Sequence, residues 1–132
     1  MESSGKITII DSSVWVAYFL SIDSQHGKAL LIGNDLASVK QIPDFILFET
    51  ATVLKQKGGL REAELFLEVV LDSTIQITNT IGLMQDFSKV FLLPDCKKLS
   101  FADSALLALH KTGNYKVITF DKDLLKEIKK IK

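Results

Sequence analysis

Short apolar runs alternate with longer amphipathic stretches along the chain, and their spacing predicts strands alternating with helices. Residues 6–10 (KITII) form a β-branched run that stops at Asp11-Ser12-Ser13, and residues 14–20 then continue apolar: strand, turn, helix. Residues 24–32 carry another helical turn or two, broken by Gly33-Asn34-Asp35, and 38–42 read as a brief strand ended by Pro43. Helical periodicity returns over 45–57 and stops at Gly58-Gly59. The clearest amphipathic helix is 60–71, apolar at 65, 66, 69 and 70 and acidic at 62, 64 and 68. A strand at 75–78 precedes a helix over about 82–92, which Pro94 closes. A helix at 100–111 stops at Gly113-Asn114, a strand at 116–120 (KVITF) runs into Asp121, and Leu124, Leu125, Ile128 and Ile131 mark a last helical stripe.

Strands that alternate with helices pair in parallel through right-handed crossovers, so the expected fold class is α/β, with a short parallel sheet flanked by helices on both faces. In such folds ligands bind beyond the carboxyl ends of the strands, where Asp11 and Asp121 fall. The 132 residues suit one domain, and 47% hydrophobic with 24% charged residues is the composition of a folded globular chain. No apolar run approaches the ~18 to 20 residues of a membrane span. The start, MESSGKITIID, is too polar for a signal peptide. One cysteine, Cys96, allows no internal disulfide and no zinc cluster, which fits a reducing, cytoplasmic setting.

Each acidic candidate has two readings. Asp11 is a turn residue or helix cap, or a ligand at the strand end. Glu49 has Phe45, Ile46, Thr52 and Val53 three and four positions away, an apolar company that calls for a partner. Asp103 completes a Ser100-x-x-Asp103 capping box, yet it borders Leu99, Leu106 and Leu107. Asp121 ends a strand, and Asp123 is an auxiliary acid or a favourable charge in a first helical turn. His26 and His110 are isolated, the latter placed as a cationic dipole partner at a helix end. Trp15, Tyr18 and Phe19 belong to the core, and Phe45 and Phe48 to the core or to a partner surface.

The order IIDSSVW, FETATVLK, LSFADSALLALH, VITFDKDL resembles the PIN domain, in particular the compact VapC-like toxin ribonucleases, from residue 6 to about 125. The resemblance implies a three-layer fold and a catalytic, metal-holding set of Asp11, Glu49, Asp103 and Asp121. Ser13 matches the small polar residue of the family's first motif, Thr119 the threonine of its last, and Asp123 an acid found in some members. The family's frequent last strand has little room in LLKEIKKIK. An all-carboxylate group without histidine or cysteine is a hard-oxygen site suited to Mg²⁺ or Mn²⁺. The implied reaction is endoribonuclease hydrolysis leaving 5′-phosphate and 3′-hydroxyl ends.

The formal charge is zero, with 16 basic and 16 acidic residues, which speaks against a nucleic-acid binder until the four acids are set aside. Then 12 acids face 16 bases, an excess of +4. Lys122, Lys126 and Lys129 are the candidate RNA contacts, or else the wet face of the final helix. A cognate antitoxin and a homodimer are the expected protein partners, the dimer because a mean hydropathy of +0.23 is high for a small domain. Rival readings are a catalytically idle PIN-like module that binds RNA or protein, and a processing nuclease without an antitoxin. A phosphoryl-accepting receiver domain fits less well, because it wants an acidic pair after its first strand.

Overall fold

The computed structural model describes residues 5–72 and 74–131. In chain order its elements are β1 (Ile7–Ile10), α1 (Ser12–Phe19), α2 (His26–Leu31), α3 (Gly33–Ala37), β2 (Gln41–Pro43), α4 (Asp44–Lys57), α5 (Leu60–Leu71) and β3 (Gln76–Thr78). A 3-10 turn (Ile81–Leu83) leads into α6 (Met84–Phe91), and a second (Pro94–Cys96) precedes α7 (Phe101–Lys111), β4 (Tyr115–Ile118) and α8 (Lys122–Lys129). The α/β class and its helical layers stand as expected.

All described strand pairing is parallel: β1 with β4, Ile7 opposite Tyr115 through Ile10 opposite Ile118, and β2 with β3, Gln41 opposite Gln76 through Pro43 opposite Thr78. The two pairs lie side by side through β1 and β2. No strand follows α8 among the described residues, so the sheet edge doubted from the sequence is absent there.

Burial explains the layers. Ile9 and Ile10 of β1 and Ile42 of β2 are fully enclosed, and helix α1 buries four consecutive residues, Val14 to Ala17, because it is covered on several sides rather than along one stripe. Trp15 meets Phe66 edge-on at 5.6 Å, which ties α1 to α5. Phe45 packs against Phe87 at 5.9 Å, whereas Phe48 is exposed, so the two aromatics part company.

Two local expectations are corrected. Residues 33–35 are not a simple break: the chain resumes as α3 after Ile32, whose carbonyl accepts from Asp35 and Leu36 N–H, because Leu36 buries its side chain there. On α5 the buried positions are Ala63, Phe66 and Val70, and Val69 faces outward, which rotates the core stripe from the 65/66/69/70 face. Gly59, at φ +118°, supplies the left-handed backbone that turns α4 into α5.

Candidate active site

Asp11 is the first residue after β1 and the N-cap of α1, where it is 3% exposed. Its Oδ1 accepts from Ser12 N–H at 2.8 Å, and its Oδ2 accepts from two hydroxyls, Ser13 Oγ at 2.8 Å and Thr119 Oγ1 at 2.7 Å. Burial pushes the Asp11 carboxyl above the ordinary aspartate value, these three donors pull it back, and the charge of Asp121 adds to the rise. The cap reading and the site reading are therefore both true of this residue.

Thr119, just past β4, is a two-way connector. It donates to Asp11 Oδ2 and accepts from Asp121 N–H at 2.9 Å, so one buried hydroxyl fixes the spacing between the two strand-end acids. Ser13 does the same a layer out, donating to Asp11 and accepting from Phe120 N–H at 3.1 Å. Asp121 caps α8, with Oδ1 accepting from Leu124 N–H at 2.9 Å.

Asp103 lies in the first turn of α7, where Ser100 Oγ accepts from Asp103 N–H at 3.0 Å, the serine half of the expected capping box. Its carboxyl is raised from 3.8 to about 6, first by burial, then by the charges of Asp11 and Asp121, against hydrogen bonds from Ser100 that lower it. Helix α7 packs against β4 and α8, the two elements that flank Asp121.

Glu49, on α4, departs from expectation. As a residue it is exposed rather than set in an apolar stripe: of Phe45, Ile46, Thr52 and Val53, the residues three and four positions away, Ile46 alone is fully enclosed. Its carboxyl end nevertheless turns inward: Ser12 Oγ donates to Glu49 Oε1 at 3.0 Å, and burial with the nearby charge of Asp11 raises its pKa. In the sequence Ser12 stands only as part of the Asp11-Ser12-Ser13 turn that ends the first strand. Its hydroxyl is separate from its backbone N–H, which the Asp11 carboxylate caps, and no local pattern points to its bond with Glu49.

The remaining candidates separate. Lys122 borders a cleft of about 510 Å³ with Ser12, Ser13, Phe120, Asp121 and Lys57, the last a residue that no motif singled out. Asp123 and Lys126 border a different cleft beside Lys97 and Lys98, and Lys129 is exposed near the end of α8. His26 Nδ1 sits 2.7 Å from the Ala17 carbonyl, a structural bond. His110 lies in the last turn of α7 as expected, and burial with the Lys6 charge lowers its pKa. Cys96 is buried, and its burial raises the thiol pKa, which suits an inert residue.

Among the described residues, no three of the His, Cys, Asp and Glu side chains stand close enough to clasp one ion as they are. The donor chemistry fits a hard divalent cation all the same: every ligand is a carboxylate oxygen, and Asp11 and Asp103 are raised partly by neighbouring negative charge. Asp11 Oδ2 is filled by two hydroxyl donors, which leaves Oδ1 as its more open oxygen.

Comparison with known proteins gives the family. The PIN domain model matches residues 8–131, and the chain belongs to the PIN domain family. It is similar to the 23S rRNA-specific endonuclease VapC20 of two strains of Mycobacterium tuberculosis, 25% identical over 116 residues that cover 86% of this chain and 88% of the relative. The crystal structure of VapC20 from Mycobacterium tuberculosis, described as a sarcin-ricin loop cleaving toxin, matches with a TM-score of 0.77 at 24% identity, over 90% of this chain and 93% of that one. That likeness shows the shared fold.

Proposed function

We propose that this chain acts as one catalytic domain, an endoribonuclease of the VapC-like toxin kind, with Asp11, Glu49, Asp103 and Asp121 holding Mg²⁺ or Mn²⁺. The observation that carries the reading is that Asp11 and Asp121, at the carboxyl ends of the paired strands β1 and β4, share the Thr119 hydroxyl, while Ser12 joins Glu49 to the same edge and the charges of Asp11 and Asp121 help raise the Asp103 carboxyl. Like charges gathered in a partly desolvated place cost stability, and a bound cation offsets that cost. When bound, the ion activates water toward a phosphodiester and offsets charge that builds on phosphorus and the leaving oxygen.

The protein's own part is placement. Thr119 and Ser13 aim Asp11, Ser100 aims Asp103, and Leu124 N–H aims Asp121. Lys122, on the cleft beside Asp121, is the nearest of the three candidate lysines to serve an RNA phosphate, with Lys126 and Lys129 further along α8. Asp123, which borders the other cleft, stays an auxiliary acid beside the metal set.

This reading includes a cytoplasmic setting, a cognate antitoxin and a homodimer. Exposed Ile22, Leu31, Phe48, Leu60 and Leu92 supply apolar surface for such partners. A strictly monomeric species in light scattering at high concentration contradicts the dimer.

The decisive assay offers purified protein single-stranded RNA, and 23S rRNA because of the relative, with Mg²⁺ or Mn²⁺ and then with excess chelator. Metal-dependent cleavage that the chelator silences is expected. RNA binding without cleavage under any metal points to the idle module instead.

A further inference from the structure

Three of the four carboxylates are aimed by groups close to them in the chain: Asp11 by Ser12 N–H, Asp121 by Leu124 N–H and Asp103 by Ser100. Glu49 has no such neighbour. It sits in the middle of α4 on an exposed residue, and its hydrogen bond comes from 37 residues away, from Ser12 Oγ at 3.0 Å. Ser12 has a single hydroxyl proton and two acceptors within reach, Glu49 Oε1 at 3.0 Å and Asp11 Oδ1 at 3.5 Å. The shorter bond takes it, since Asp11 already receives Ser12 N–H, Ser13 and Thr119. The hydroxyl is also surplus to folding, because the cap of α1 uses the backbone N–H that any residue but proline provides.

We propose that Ser12 is a positioning residue for the reaction: by donating to Glu49 Oε1 it joins α4 to the start of α1 and holds the Glu49 carboxylate beside Asp11, ready for the divalent ion. The assignment rests on Glu49 as a metal ligand. Without Ser12 the Glu49 side chain is released to its many rotamers, and ordering it is charged against metal binding.

The test is Mn²⁺ titration by calorimetry on RNA-free protein, in which chemistry plays no part. Ser12→Ala is expected to weaken Mn²⁺ binding about five- to tenfold, the net worth of one solvent-accessible hydrogen bond, with thermal unfolding unchanged. Ser12→Thr, which keeps the hydroxyl on a half-buried residue that borders an open cleft, restores the wild-type affinity. In a Glu49→Gln background the Ser12→Ala change adds nothing further. Wild-type affinity in Ser12→Ala, or an equal loss in both backgrounds, overturns the positioning role while leaving Glu49 as a ligand. Wild-type Mn²⁺ affinity and cleavage in Glu49→Gln alone removes Glu49 from the metal set and overturns the role along with it.

Discussion

The fold uses one device twice, at the carboxyl ends of its two strand pairs. After β1, Asp11 accepts from Thr119, just past β4, at 2.7 Å, and after β2, Asp44 accepts from Thr80, just past β3, also at 2.7 Å. Both aspartates start a helix, and both are well served: Asp44 takes Phe45 N–H at 2.8 Å and Thr80 N–H at 3.2 Å besides the hydroxyl. Each clip fastens adjacent parallel strands where a ladder ends and unpaired backbone groups need partners. What separates them is company. The donors around Asp44 are amides and a hydroxyl, whereas Asp11 also faces Asp121, Asp103 and Glu49. An aspartate satisfied by a threonine clip is thus no mark of catalysis; the acids brought to it by α4, α7 and α8 are.

The largest difference between the clips is expected in catalysis. Asp11→Asn and Asp121→Asn should each lower RNA cleavage by about a hundredfold or more while the protein still folds, as measured by single-turnover assay and circular dichroism. Next comes the connector. Thr119→Val removes a donor to Asp11 and the acceptor of Asp121 N–H, so cleavage should fall about ten- to a hundredfold and stability with it. Thr80→Val breaks the matching clip and should cost about 1 to 3 kcal/mol in denaturant melts with cleavage per folded molecule unchanged.

A smaller effect concerns pH in the presence of chelator. The Asp103 carboxyl, raised from 3.8 to about 6, binds protons more tightly folded than unfolded. Its contribution to stability is therefore complete below about 3.8 and lost as pH rises through about 6. The melting temperature should rise by a few degrees from about pH 7.5 to about pH 5, discounted for the partial exposure of the group, and Asp103→Asn should flatten that rise. A rise of the same size in Asp103→Asn assigns it to other groups. The smallest effect is that of Lys129→Ala, which should reduce the salt slope of RNA binding by about one without changing the chemistry.

The sequence made the elements legible to within a few residues, since β-branched runs and glycine stops mark them directly. The strand-end acids were legible for the same reason, each lying one step past an apolar run. Less visible was anything set by tertiary geometry. Helix α3 forms because Leu36 finds a buried place, which no local pattern announces. Glu49 looked enclosed by its helical neighbours, yet only its carboxyl is drawn in, by a serine 37 residues earlier. The Asp44–Thr80 clip was missed because each residue alone is an ordinary turn former, and tertiary packing decides that Asp123 and Lys126 border one cleft and Asp121 and Lys122 another.

The central claim is that the company of acids, and not the aspartate–threonine clip, makes the site. Its most direct test compares RNA cleavage by Asp103→Asn and Asp44→Asn at matched Mn²⁺ and matched folded concentration, with contaminating nuclease excluded. Loss of cleavage in Asp103→Asn with retention in Asp44→Asn is the predicted result. Full cleavage by Asp103→Asn would contradict the account and leave Asp103 as the partner of Ser100 in a helix cap and nothing more.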